Sequence, residues 1–178
     1  MATLDGKQIV IIVGQKNYND EEFNYLYETL EKEGADVSIA SNTLEKALGR
    51  LEGYVAPDCK IEDITPGEFD AVILIGGYGA RVFLWDDPKT HELLRRQASS
   101  GKLVAAISTA PVALANAGIL KDKKATVYPD YVSILALEEH GAKHVYENVI
   151  AEGNIITASD SRFVEKFAEA IIAKLKGK

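Results

Sequence analysis

The 178-residue sequence is poor in several residue types, and each shortage excludes a class of protein. It holds one cysteine, Cys59, so no disulfide can form within the chain. The apolar run at residues 9–13, IVIIV, is too short for a signal peptide or a membrane span and is typical of a core strand. The 20 Lys and Arg residues against 27 Asp and Glu give a net charge of −7, which disfavours a nucleic-acid partner. We therefore expect a cytoplasmic protein without a membrane or nucleic-acid partner.

The composition that remains is that of an ordinary folded chain. Hydrophobic residues make up 47% and charged residues 26%, and this length suits one core, so we expect a single domain over residues 1–178. Apolar strand-like runs alternate with segments of helical period, which indicates βαβ units and a parallel sheet. The predicted strands cover 8–14, 35–41, 70–77, 102–107, 125–129, 144–152 and 154–159, and the predicted helices 20–35, 43–53, 87–101, 109–118, 131–141 and 161–176. This order predicts a flavodoxin-like three-layer α/β/α sandwich with a mostly parallel sheet.

Functional sites in such folds form where the carboxyl ends of the strands open into loops. The stretch VAAISTAPVALANAG, residues 104–118, runs from a buried strand into a helix and places Ser108 on the turn between them, as in a nucleophile elbow. The N–H of Thr109 and the loop Gly76–Gly77 could supply oxyanion donors. A serine needs a base to become a nucleophile, and none of the three histidines follows a strand directly. Ser108 is therefore either a working nucleophile or a small residue that fits a tight turn.

Several blocks in the same order resemble the ThiJ/PfpI superfamily, which includes intracellular cysteine peptidases, glyoxalases, deglycases and a redox-sensing protein. The blocks are YNDEEFNYLYETLEKEGADVSIAS, PGEFDAVILIGGYGA, GKLVAAISTAPVALANAGIL and EGNIITAS. In this resemblance, Ser108 stands at the position of the family's cysteine, Thr109 at that of a histidine and Asn19 at that of a glutamate. Gly77, with Gly76 before it, stands at the position of the oxyanion glycine. Tyr128, before Pro129, stands at the position of a second histidine. It also implies a homodimer or larger homo-oligomer and a small carbonyl or anionic ligand.

The other candidate residues have simpler interpretations. Asp20, Glu21 and Glu22 complement the dipole of a helix start and are expected to point away from Ser108. Cys59 is interpreted as a small, semi-buried residue. His140 and His144 with Glu138 and Glu139 are interpreted as a solvated helix end, so we expect no metal and no cofactor. Tyr78, Phe83 and Trp85 line either the pocket or a subunit contact.

The resemblance therefore predicts a degenerate site, with Ser for Cys, Asn for Glu and Thr for His. Such a chain would lack the cysteine-dependent peptidase or glyoxalase activity and would act as a small-ligand-binding or stress-related protein. Two alternatives stay open. One is an active hydrolase or glyoxalase-like enzyme that uses Ser108, and the other is an engineered Cys-to-Ser form of an active family member.

Overall fold

Runs of β-branched and small apolar residues form the strands in the computed structural model, which describes residues 3–177. The strands are β1 (Gln8–Ile12), β2 (Lys16–Tyr18), β3 (Asp36–Ser41), β4 (Ala47–Gly49), β5 (Tyr54–Val55), β6 (Cys59–Lys60), β7 (Ala71–Leu74), β8 (Leu103–Ile107), β9 (Lys124–Ala125), β10 (Lys143–His144), β11 (Val149–Glu152) and β12 (Ile155–Ala158). The helices are α1 (Asp20–Lys32), α2 (Tyr78–Phe83), α3 (Pro88–Ser99), α4 (Pro111–Asn116), α5 (Tyr131–Glu139) and α6 (Val164–Leu175).

The central sheet has seven strands in the order β11-β12-β8-β7-β1-β3-β6. The inner pairs β12-β8, β8-β7, β7-β1 and β1-β3 are all parallel, as is the β3-β6 pair, and only β11 runs antiparallel at its edge. Because the inner strands are parallel, β1, β7 and β8 open into loops at the same edge of the sheet. Those three loops carry the candidate residues of the site.

Both faces of this sheet are buried. Ile9 and Ile11 of β1 pack with residues of α1 and α6, whereas Val10 and Ile12 of the same strand pack with residues of α2 to α5. Successive side chains of a strand point to opposite faces, so one short strand contributes to two cores. The predicted three-layer sandwich with a mostly parallel sheet is confirmed.

Residues 43–53 are not the predicted helix. They contain β4, which joins β2 and β5 in a small three-stranded sheet. Tertiary hydrogen bonds occupy the backbone groups that a helix would use: the Gln15 amide donates to the carbonyl of Glu45 at 2.8 Å and accepts from the N–H of Thr43 at 3.0 Å. Contacts with a distant part of the chain therefore override the helical period of this segment.

Further elements differ from the prediction, among them the short strands β2 and β6, which were not predicted. The strand expected over 144–152 is divided into β10 and β11, and the one expected over 125–129 is reduced to β9. Helix α2, directly after the Gly76–Gly77 loop, was not predicted, because six residues are too few to show a helical period. In the part of the chain that the structure describes, no helix is both long and apolar enough to cross a bilayer.

Candidate functional site

Ser108 follows the last residue of β8 and has a φ of 63°, a left-handed backbone conformation that non-glycine residues rarely adopt. Two hydrogen bonds hold it there: its N–H donates to the Ala158 carbonyl at 2.9 Å, and its carbonyl accepts from the Tyr128 N–H at 2.8 Å. The residue is 7% exposed. The backbone of Ser108, strained at a turn from a strand to a helix, therefore has the geometry of a nucleophile elbow.

The Gly76–Gly77 loop follows β7 and packs directly against this elbow. A Cβ on Gly76 would lie 2.6 Å from Ser108 Cβ, and Gly77 has a φ of 91° and would place a Cβ 2.7 Å from the Asn17 carbonyl oxygen. Neither position has room for a side chain. The two glycines therefore let the loop backbone approach Ser108 as closely as it does.

Glu22 is the functional residue that the sequence analysis missed. Its side chain is fully buried, and its Oε2 accepts a hydrogen bond from the Gly76 N–H at 2.8 Å. The Ser108 hydroxyl lies close enough to lower the pKa of this carboxyl, yet Oε1 has no hydrogen-bond partner among residues 3–177. Burial has the larger effect and raises the pKa of Glu22 to about 8. The carboxyl is therefore mostly protonated at neutral pH.

The expectation that Glu22 points away from Ser108 is wrong, and helix geometry gives the reason. Glu22, Leu26 and Leu30 follow one another at four-residue spacing, so they lie on one face of α1. That face is buried against the sheet, and its first position reaches the Gly76–Gly77 loop. The periodicity of α1 was the signal that could have found this residue, whereas the exposed Glu21 complements the helix start as expected.

Asn19 has a different role from the one the resemblance gave it. It is the N-cap of α1, where its Oδ1 accepts from the Glu22 N–H at 3.1 Å and its own N–H donates to the Gly76 carbonyl at 3.1 Å. It also lines the cavity in front of Ser108. The carboxyl beside Ser108 comes from Glu22, and Asn19 orients the helix start that carries it.

Thr109 braces the elbow. Its hydroxyl donates to the Gly77 carbonyl at 2.9 Å, and its carbonyl accepts from Trp85 Nε1 at 2.8 Å. The N–H groups of Gly77 and Thr109 donate to no acceptor among residues 3–177. Two unused donors on either side of a serine can receive a carbonyl or carboxylate oxygen.

The cavity in front of Ser108 has a volume of about 480 Å³. Its wall includes two tyrosines and Trp85, which is 7% exposed, and its charged side chains are Arg50, Arg81, Arg162, Asp130 and Asp160. Tyr128, at the position of a family histidine, and Tyr78 both line it; Phe83 does not. Tyr78 and Trp85 therefore line the pocket, and a subunit contact of these aromatic residues stays a prediction.

The histidines and Cys59 lie outside this cavity. The ring of His91 bonds to the Trp85 carbonyl at 2.7 Å, and that of His140 to the Ala136 carbonyl at 2.9 Å. His144 packs edge-on against Tyr146. Cys59 is half-buried at the start of β6, and burial raises the pKa of its thiol. Within residues 3–177, no three His, Cys, Asp or Glu side chains are gathered as a metal site would require.

Known proteins resemble this chain in sequence and in fold. The sequence model of the DJ-1/PfpI family matches residues 7–174. The chain is 32% identical to the uncharacterized protein MJ0967 of Methanocaldococcus jannaschii over 95% of this chain and 82% of that one. It is also 32% identical to the Deglycase PYRAB04690 of Pyrococcus abyssi, over 84% and 88% of the two chains.

Solved structures give the same result for the fold. The ThiJ/PfpI domain protein from Brachyspira murdochii superposes with a TM-score of 0.91 at 30% identity, over 97% of this chain and 99% of that one. Drosophila melanogaster DJ-1beta superposes with a TM-score of 0.85 at 29% identity, over 97% and 91%. The predicted flavodoxin-like fold is therefore shared with both proteins over nearly their full lengths.

Proposed function

Because the chain belongs to the DJ-1/PfpI family, we propose that it binds a small carbonyl compound at Ser108 without the cysteine chemistry that the family resemblance implies. One observation carries this proposal: Glu22 is fully buried beside the elbow serine, and this burial raises the pKa of its carboxyl to about 8, so the carboxyl is mostly protonated at neutral pH.

A serine hydroxyl becomes a nucleophile when a base accepts its proton as the new bond forms. A protonated carboxyl cannot accept that proton, but it can donate a hydrogen bond. Glu22 is fully buried and does not line the cavity, so the donors for a ligand oxygen are the free N–H groups of Gly77 and Thr109. This set favours binding of a carbonyl group over attack on it.

A serine-dependent enzyme is the second candidate, and the strained elbow favours it. Ser108 keeps a φ of 63° beside the two free N–H groups, as acyl-transfer or carbonyl chemistry would need. Such activity would rise with pH, because Glu22 becomes a base only when it ionises. A cysteine form of the same site is the third candidate, since relatives from Pyrococcus are named deglycases.

Methylglyoxal consumption separates these candidates. We would compare the unchanged protein with Ser108→Ala, Ser108→Cys and the double variant Ser108→Cys with Glu22→Gln, at pH values one unit below and one unit above the Glu22 pKa. We expect the unchanged protein and Ser108→Ala to be equally inert, Ser108→Cys to turn over, and the double variant to lose at least about tenfold of that rate. Faster consumption by the unchanged protein than by Ser108→Ala would establish serine catalysis and reject our proposal.

Binding itself is tested by titrating hydroxyacetone, a small neutral carbonyl compound, and following backbone amide resonances. The Gly77 and Thr109 amides should shift on titration, while the amide of Gly101, in an exposed turn before β8, should not. Unchanged Gly77 and Thr109 resonances at saturating probe would contradict the binding proposal.

The homodimer or larger homo-oligomer, the cytoplasmic location and a stress-related role stay predictions. The hairpin of β4 and β5 gives a homo-oligomer an apolar surface to use, because Leu48, Leu51 and Tyr54 are 46%, 59% and 62% exposed.

A further inference from the structure

The charges of the Ser108 cavity are unequal. Three arginines line it against two aspartates, in a chain whose net charge is −7. Asp160 forms an ion pair with Arg162, with Nε and Oδ1 3.0 Å apart. Asp130 accepts hydrogen bonds from the N–H and hydroxyl of Ser133 as the cap of α5. Both carboxylates are therefore already engaged.

The three arginines of the cavity differ in whether they already have an acidic partner. Arg162 is held by Asp160, and Arg50 pairs with the exposed Glu21 at 3.2 Å. Arg81 pairs with no Asp or Glu among residues 3–177, although it lines the same cavity. It is thus the cationic group of the cavity that a ligand can engage without breaking an ion pair.

Trp85 lies beside the exposed Arg81 side chain. The Arg81 guanidinium carbon is 5.1 Å from the centre of the Trp85 ring, in a cation–π contact. The indole N–H of Trp85 donates to the carbonyl of Thr109, the residue after Ser108. The Trp85 backbone is fixed in turn, since its carbonyl meets His91 at 2.7 Å and the Asn116 amide at 2.9 Å. An arginine guanidinium can contact an aromatic ring and still present N–H groups to a carboxylate.

We propose that the ligand of this cavity is a short-chain oxo carboxylate, with its carboxylate on Arg81 and its carbonyl oxygen at the N–H groups of Gly77 and Thr109. This inference rests on the proposed binding function and adds the charge of the ligand. Tyr78 and Tyr128 provide aromatic surface beside the short carbon chain. A neutral carbonyl compound would use the N–H groups but would leave Arg81 without a partner.

Pyruvate and hydroxyacetone test the charge directly, because they share a methyl ketone and differ in the carboxylate. Their dissociation constants would be measured by calorimetry and amide shifts for the unchanged protein, for Arg81→Gln and for Arg95→Gln. Arg95 is a matched control: it is an exposed arginine on α3, outside this cavity, that pairs with Glu92. Both variants remove one positive charge, so they alter the overall field equally.

We expect pyruvate to bind the unchanged protein at least about tenfold more tightly than hydroxyacetone, because the pyruvate carboxylate adds a charged hydrogen bond with Arg81. Arg81→Gln should abolish that preference, while Arg95→Gln should keep it. Equal affinities for the two probes, or equal losses in both variants, would overturn the carboxylate assignment alone. Failure of both probes to bind would overturn the binding function as well.

Discussion

Glu22 and Ser108 face each other across Gly76. The Gly76 N–H donates to Glu22 Oε2 at 2.8 Å, and a Cβ on Gly76 would lie 3.0 Å from that oxygen and 2.6 Å from Ser108 Cβ. The first turn of α1, the loop after β7 and the elbow after β8 therefore meet at one point. A glycine at position 76 allows the contact, and the burial it produces is what changes the chemistry of the carboxyl.

The first prediction concerns the pH dependence of stability. The folded protein raises the pKa of Glu22 from 4.5 to about 8, so between these values the folded state binds more protons than the unfolded state. The contribution of Glu22 to stability is therefore complete below pH 4.5 and is lost as the pH rises toward 8. Glu22→Gln cannot ionise, so relative to that variant the unchanged protein should lose up to about 1.4 kcal/mol of unfolding free energy per pH unit. Urea unfolding across this range measures the difference.

Glu21→Gln is the matched control, because Glu21 is the exposed neighbour of Glu22 in the same helical turn. Its unfolding free energy should follow that of the unchanged protein at every pH. Parallel pH profiles for the unchanged protein and Glu22→Gln would show that burial does not raise the pKa of this carboxyl.

The main sheet and its helices could be predicted because their patterns are local. The apolar run at 9–13 lies in β1 except for its last residue. The segment 20–35 contains α1, because its apolar residues recur at helical spacing. The conformation of residues 43–53 could not be predicted in this way. It depends on the hydrogen bond from the Gln15 amide to the Glu45 carbonyl, and these two residues are 30 positions apart in the chain.

The site shows the same division between local and distant information. The elbow at Ser108 and the glycines at 76 and 77 follow from strand ends that the sequence displays. The neutral carboxyl does not, because matching by resemblance placed the glutamate on Asn19, three residues before the side chain that reaches Ser108. The periodicity of α1 places Glu22 in one row with Leu26 and Leu30, but only the packing of α1 shows that this row ends beside Ser108.

The second prediction concerns Asp20, which ties the hairpin to the start of α1. Its carboxylate is buried and accepts from the N–H groups of Leu51 at 2.9 Å and Gly53 at 3.1 Å, on either side of the turn that follows Arg50. Asp20→Ala should lower the unfolding free energy by about 1–3 kcal/mol, because two N–H groups lose their acceptor. The amides of Leu51 and Gly53 should also exchange faster with solvent.

Glu21→Ala provides the comparison, since Glu21 contacts the same hairpin through an exposed ion pair with Arg50. Exposed pairs contribute little, so we expect a loss below about 1 kcal/mol and no faster exchange at Leu51 or Gly53. If both variants affected stability and exchange equally, the buried hydrogen bonds of Asp20 would not be what holds the hairpin.

The third prediction concerns Thr109, which stands where the resemblance placed a histidine. Its hydroxyl donates to the Gly77 carbonyl at 2.9 Å and so holds the backbone on the C-terminal side of Gly77, next to the Gly77 N–H that is one of the two free donors. Thr109→Val keeps the shape and removes the hydroxyl, so it should cost about 1 kcal/mol of unfolding free energy and weaken hydroxyacetone binding. Thr109→Ser keeps the hydroxyl and should retain the affinity. Unfolding by urea and the hydroxyacetone titration measure the two effects, and a loss of affinity in Thr109→Ser with none in Thr109→Val would mean that the methyl group, not the hydrogen bond, supports the site.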